Sequence, residues 1–379
     1  MWRLIRSTIA VFAGFVTASA AAQEEPVTSQ VLQESADRLR KEAHLVGVGT
    51  TLLIDGEIVA AAVSGTRRQG SDVAVTVDDK WHIGSITKSM TATVIAKLVE
   101  RGQVSWDSSL PDLLPGMAMN FDQSWGDVTL HNVLTHTAGL PANFSLLQRL
   151  DWPDNRDAVH ARRKELLTEI LAQPAESSPG AAFVYSNVGY TLAGFIAAEK
   201  VGTTWEALIE EELFKPLRLD SAGFGPPQGD QPLDQPWGHQ RALFMRSPMD
   251  PRKRADNSPV MGPAGTIHIS MADLARFGWE HLEGEAGESK LLQQETFQKL
   301  HEPVMKNYAC GWVNMQRDWA GGRFLWHNGS NTMWYSLLVL IPSKDAVLVF
   351  VTNDGDIAGA ESRFFKLAET ISSKLPDRK

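Results

Sequence analysis

The chain has 379 residues, 43% hydrophobic and 21% charged, which is enough apolar material for one large domain or two closely packed ones. A formal net charge of -9 argues against nucleic acid as a partner, since polyanion binders carry a basic surplus. The single cysteine, Cys310, excludes an internal disulfide, so the core has to hold without staples.

The N-terminal stretch "MWRLIRSTIAVFAGFVTASAAAQEE" sets Arg3 and Arg6 before an apolar run and then small residues. That order predicts a signal peptide over residues 1–22, cut after Ala20 or Ala22, and its apolar run is too short for a comfortable membrane span. Removal takes both arginines and lowers the net charge from -9 to -11. Export without disulfides points to a bacterial periplasm or exterior. Residues 23–379 then read as a single domain.

Residues 27–44 place Val31, Leu32, Leu39 and Ala43 among charges and predict an amphipathic helix. Residues 46–65 predict a hairpin turning at Asp55-Gly56. Residues 85–101 predict a helix with one apolar stripe through Ile86, Met90, Val94, Ile95 and Leu98, ended by Gly102. Further helices are expected over 131–141, 161–172 and 187–201. Residues 226–263 hold 8 of the 19 prolines, which predicts a long irregular segment, either a lid or a surface excursion. At the far end, 333–342 and 346–355 read as strands joined by a short turn, followed by a helix through Phe365, Leu367 and Ile371. The fold class is α+β. An antiparallel sheet is built from both chain ends and flanked by the terminal helices, and the mostly helical part runs over about residues 75–225.

Three stretches carry candidate chemistry. "SITK" sets Ser85 and Lys88 three apart at a helix start, so the lysine reaches the hydroxyl of a serine that is a weak nucleophile without a base. Burial or a second cation would lower the lysine pKa for that task, and the helix N-terminus favours developing negative charge. The same pair also fits a serine cap beside a solvated lysine. "YSN" places Tyr185 and Asn187 at a loop-to-helix junction, where a phenolate serves as base and an amide orients a carbonyl, or where a half-buried aromatic precedes a helix cap. "HNG" puts His327, Asn328 and Gly329 beside a strand, with glycine permitting close backbone approach, as at a substrate-binding edge or in a plain turn. Trp81, Trp312, Trp326 and Trp334 flank these stretches, as core packing or as a stacked substrate wall. His131 and His136 are five apart and do not share a helix face, so no metal site is read there, and there is no G-x-S-x-G elbow.

The order Ser-x-x-Lys, Tyr-x-Asn, His-x-Gly resembles the penicillin-recognising serine hydrolases: class C β-lactamases, Tyr-type DD-carboxypeptidases and related esterases and D-aminopeptidases. "LTHTAGLP" (134–141), the stretch from Tyr185 to Phe224, "GPAGTIHISMADLARF" (262–277) and the closing hairpin resemble the same family, so the likeness spans nearly all of residues 23–379. It implies Ser85 as nucleophile, Lys88 as the partner that helps deprotonate it, and Tyr185 as general base and then acid, with a pKa lowered by Lys88. It implies Asn187 orienting Lys88 and the substrate, Asn143 facing the substrate, and an oxyanion hole from the N–H groups of Ser85 and Ser330. No cofactor is implied, and the partner is a small-molecule ester, amide or peptide. Where class C enzymes have Lys-Thr-Gly, this chain has His327-Asn328-Gly329. A mostly neutral histidine there puts cephalosporinase activity in doubt. Ester or amide hydrolysis is the first reading. A true β-lactamase or DD-carboxypeptidase is the second, and a non-catalytic binder of peptidoglycan fragments or D-peptides the third.

Overall fold

The computed structural model describes residues 27–242 and 245–378, so the expected signal peptide over 1–22 lies outside the described residues. The strands are β1 (Gly47–Ile54), β2 (Glu57–Gly65), β3 (Lys80–His82), β4 (Gly223–Phe224), β5 (Gly238–Ala242), β6 (Met245–Met249), β7 (Ile267–Ser270), β8 (Val313–Arg317), β9 (Gly322–Ser330), β10 (Tyr335–Ile341) and β11 (Ala346–Thr352). The main sheet has the order β2-β1-β11-β10-β9-β8 and every pairing in it is antiparallel. Both chain ends therefore share one sheet, as the sequence predicts. The β1–β2 turn places Asp55 and Gly56 at φ 51° and 79°, the left-handed pair that a two-residue hairpin needs.

Side chains on a strand alternate between faces, and the two central strands use both. Leu337, Val339 and Ile341 of β10 and Leu348 and Phe350 of β11 pack with the terminal helices Ser29–Glu42 and Ile357–Ser372. Leu338 and Leu340, with Val347, Val349 and Val351, face the helix Met271–Ala286 and the larger core. With both faces covered, β10 and β11 are buried at every residue, which explains their unbroken apolar runs.

The segment between the sheet halves departs from expectation in five places. Residues 85–101 do not form one amphipathic helix. A short 3₁₀ turn, Gly84–Ile86, leads into the helix Thr87–Glu100, which is buried on nearly all sides rather than along one stripe. Its polar residues satisfy themselves: the Ser89 hydroxyl donates to Ile86 O, Thr93 to Ser89 O and Thr91 to Pro263 O. The 131–141 helix shrinks to Leu130–Leu134, and the 161–172 helix starts earlier, as Arg156–Leu171 capped by Asn155. The expected helical stretch also holds β3 and β4, which pair with β7 in a second small sheet. Residues 226–263 are not wholly irregular, because β5 and β6 pair within them. The helix Asn187–Val201 matches its expected range. Among the described residues no helix is long and apolar enough to cross a membrane.

Candidate active site

Strand β3 delivers the chain into the Gly84–Ile86 turn, and that turn meets the end of β9. The contact is backbone on backbone. A Cβ on Gly329 would lie 1.9 Å from Ile83 O and 2.5 Å from Ser85 N, and one on Gly84, whose φ is +48°, would lie 2.2 Å from Ser330 N. Only two glycines allow the Ser85 turn and the Gly329-Ser330 backbone to come this close.

Lys88, on the first turn of the Thr87–Glu100 helix, is fully buried. Its Nζ lies 3.0 Å from Ser85 Oγ, within hydrogen-bond reach, and donates to Asn187 Oδ1 at 2.7 Å and Ala264 O at 2.7 Å. Burial holds its pKa well below the usual lysine value. A neutral amine has two N–H groups and one lone pair. The amide oxygen and the carbonyl take the two N–H groups, which leaves the lone pair for the Ser85 hydroxyl proton.

Tyr185 stands immediately before the cap of the Asn187–Val201 helix, where Ser186 Oγ accepts the Gly189 N–H at 2.9 Å. Its ring lies 4.8 Å from Lys88 Nζ. The expected fall in its pKa does not occur. The burial that neutralises Lys88 also pushes the phenol up, and the nearby Ser85 hydroxyl opposes this only in part. Asn187 links Lys88 to the surface, its Nδ2 donating to Asn143 Oδ1 at 2.7 Å. The structure thus brings Ser85, Lys88, Tyr185, Asn187 and Asn143 together, with Gly329 and Ser330 against the Ser85 turn.

His327 departs from its expected place at a substrate edge. Its ring is 2% exposed, with Nδ1 2.5 Å from Asn328 O and Nε2 3.0 Å from Tyr308 Oη. A carbonyl only accepts, so Nδ1 carries the proton and Nε2 accepts from the tyrosine. Burial, with Lys88 nearby, pulls its pKa down to about 3. The ring is a neutral strut under the cleft, with no nitrogen left for a ligand.

His136, weighed in the sequence only as a metal ligand, is a supporting residue. Its carbonyl accepts the Val184 N–H at 2.9 Å and its Nδ1 accepts the Ser186 N–H at 3.0 Å, so it grips the chain on both sides of Tyr185. Its ring packs 4.4 Å from the Tyr185 ring and 4.7 Å from that of Tyr308. Sequence reasoning also missed Tyr190, whose hydroxyl donates to Leu134 O at 2.8 Å, and the Ala264 carbonyl. "LTHTAGLP" was the available signal for His136, but no side-chain signature marks a carbonyl. Trp81, Trp312 and Trp334 are fully buried core residues. Trp326 packs edge-on against Phe365, 4.9 Å away, beneath the C-terminal helix. These four tryptophans therefore form no substrate wall. Among the described residues no group of three or more His, Cys, Asp or Glu side chains gathers in a way that could hold a metal ion.

The buried histidines have a measurable consequence. Burial lowers His239 and His268 to about 4 and His327 to about 3, whereas an unfolded histidine titrates near 6.5. The unfolded chain then binds more protons as pH falls below about 6.5, so stability present above that value is lost toward about 3. Glu280 and Asp345, raised by burial, work in the opposite sense but are two groups against several. Thermal melts at constant ionic strength should show Tm falling steadily from pH 6.5 to 4.5. A flat or rising Tm over that window would contradict the neutral burial of these rings.

The chain is 27% identical over 360 residues to "Penicillin-binding protein 4" of Amycolatopsis lactamdurans, covering 91% of each chain. In structure it is similar to "A class C beta-lactamase", with a TM-score of 0.73, 20% identity, and 93% of this chain and 98% of the other covered. It is similar also to the D-amino acid amidase from Ochrobactrum anthropi SV3, with a TM-score of 0.74, 20% identity and coverages of 90% and 98%. The β-lactamase family model matches residues 32–370, nearly the whole of the described sheet, helices and cleft, and the chain belongs to that family.

Proposed function

We propose that the chain is a serine hydrolase that forms an acyl-enzyme on Ser85 and cleaves ester or amide bonds, D-amino-acid peptides among its candidate substrates. The observation that carries this reading is the Lys88 amine, buried and hydrogen-bonded to Ser85 Oγ. As Ser85 Oγ attacks the acyl carbon, its proton passes to Lys88 Nζ and the carbonyl oxygen becomes an oxyanion. The Ser85 and Ser330 N–H groups stabilise that charge. Collapse expels the leaving group, which takes the proton through the Tyr185 hydroxyl. Water then repeats the sequence on the acyl-enzyme, with the proton moving back to Ser85. Asn187 fixes Lys88, and Asn143, exposed beside it, meets the substrate. The single catalytic domain spans 23–379, and the leader over 1–22 directs it to the periplasm or exterior.

A β-lactamase or DD-carboxypeptidase activity is the second reading, favoured by the name of the Amycolatopsis relative. Both substrates present a carboxylate, and the neutral, fully engaged His327 supplies no cation for it. The full chain and its Ser85→Ala variant are to be given a p-nitrophenyl ester, a D-amino-acid p-nitroanilide and a chromogenic cephalosporin, with intact mass reading any adduct. Ester or anilide turnover is expected, lost by at least on the order of 1,000-fold in the variant. Fast cephalosporin turnover would promote the second reading. Neither turnover nor adduct would leave the non-catalytic binder.

A further inference from the structure

We propose that Asp256 is a positioning residue that holds the two backbone donors of the oxyanion hole in register. This rests on the acyl-enzyme reading above. The two donors come from distant parts of the chain: Ser85 from the turn after β3, and Ser330 from the end of β9. The Gly84 and Gly329 contacts show that they touch, but touching backbones need something to fix their spacing.

Asp256 reaches both sides with one oxygen. Its Oδ1 lies 2.8 Å from His82 Nε2 and accepts from Asn331 Nδ2 at 2.9 Å and from the Asn257 N–H at 2.6 Å. The His82 contact is close but off the N–H axis, so it is a charge–dipole contact and not an aligned hydrogen bond. On the nucleophile side, His82 Nδ1 accepts the Gly84 N–H at 3.1 Å, one residue before Ser85. On the strand side, Asn331 follows Ser330 directly, and its Oδ1 accepts the Met333 and Trp334 N–H groups at 3.2 Å each. One carboxylate thus joins the residue that shapes the Ser85 turn to the residue that shapes the Ser330 turn. The side chains of His82 and Asp256 are 0% and 1% exposed.

The arrangement is a poor way to gain stability. A buried carboxylate is costly unless both oxygens are satisfied, and Asp256 Oδ2 has no partner among the described residues. A group that crowds its contacts onto one oxygen and leaves the other bare is placed for geometry. Asparagine in its place keeps the accepting oxygen, and alanine removes it.

The test compares the full chain with Asp256→Ala and Asp256→Asn by ester kinetics, thermal melting and affinity for an alkylboronic acid, whose tetrahedral serine adduct places an oxygen in the hole. Asp256→Ala is expected to lower kcat on the order of 10-fold to 100-fold with KM little changed, and to weaken the boronate by a similar factor. Asp256→Asn is expected to restore most of both. Unchanged kcat and boronate affinity in Asp256→Ala would overturn the proposal. So would losses in kcat that track Tm equally in both variants, since a merely structural role predicts that. If Asp256→Ala does not fold, Asp256→Asn together with Asn331→Ala decides the matter through the same boronate ratio. Wild type without turnover but with a boronate affinity that Asp256→Ala weakens would sink the hydrolase reading and keep the brace. Wild type that binds no boronate would overturn both.

Discussion

Lys88→Met is expected to lower kcat/KM for an ester on the order of 100-fold to 10,000-fold, the range that a positioned general base contributes. Methionine fills the buried volume and cannot accept a proton. It leaves Asn187 Oδ1 and Ala264 O without the amine that now donates to both. Each unpaired oxygen costs about 1–3 kcal/mol, offset in part because a desolvated amine is itself expensive. The variant should therefore fold with a modestly shifted Tm while losing catalysis. The pH profile separates the two effects. The base form of Lys88 is the neutral amine, and burial places its pKa well below 10.5. Wild-type kcat/KM should rise as pH rises through that lowered value and then level off, and the variant's residual activity should lack that limb. A variant within tenfold of wild type would move the base elsewhere, with Tyr185 next in line.

Gly329→Ala is expected to cost activity nearly as much for a different reason. One methyl group would sit 1.9 Å from Ile83 O and 2.5 Å from Ser85 N, and neither neighbour is a flexible side chain that can swing away. The end of β9 must lift from the Ser85 turn, which spreads the Ser85 and Ser330 donors. Loss of one oxyanion donor costs on the order of 100-fold to 1,000-fold in kcat. The hydroxyl, the amine and the phenol remain, so a fluorophosphonate should still label Ser85, only more slowly. Steady-state kinetics and labelling rates read the two together. Undiminished kcat would show that the oxyanion lies away from this junction.

The sequence made the residues that gather at the cleft legible and left their supports hidden. Ser85 and Lys88 share a helix turn, and Tyr185 and Asn187 straddle a cap, so local spacing was enough to bring each pair to notice. The strands β10 and β11 were equally plain, because burial on both faces writes an unbroken apolar run. The helix after Ser85 was misread as one-sided because Ser89, Thr91 and Thr93 look like solvent residues. Their hydroxyls are consumed by carbonyls inside the protein, so periodicity loses its meaning there. The supports lie far apart in the chain. His136 meets Ser186 across 50 residues, and Lys88 meets the Ala264 carbonyl across 176. No local pattern marks such partners. His327 illustrates the converse, since its place on a strand was foreseeable but its inward turn depends on Tyr308.

The pairing of β1 with β11 bears on how the chain comes into being. Thr352 Oγ1 donates to Gly47 O across 305 residues, and β1 has no other neighbour on that side. During vectorial synthesis the hairpin of β1 and β2 emerges early and must wait for almost the entire polypeptide. The N-terminal helix covers one face of that hairpin, but the edge of β1 stays unpaired until β11 arrives. Closing so long a loop carries an entropic debt that local helices do not share, which makes this sheet the slow, aggregation-exposed step of folding. A chain truncated before residue 346 should accumulate as insoluble material even though every group proposed to act in catalysis is already present.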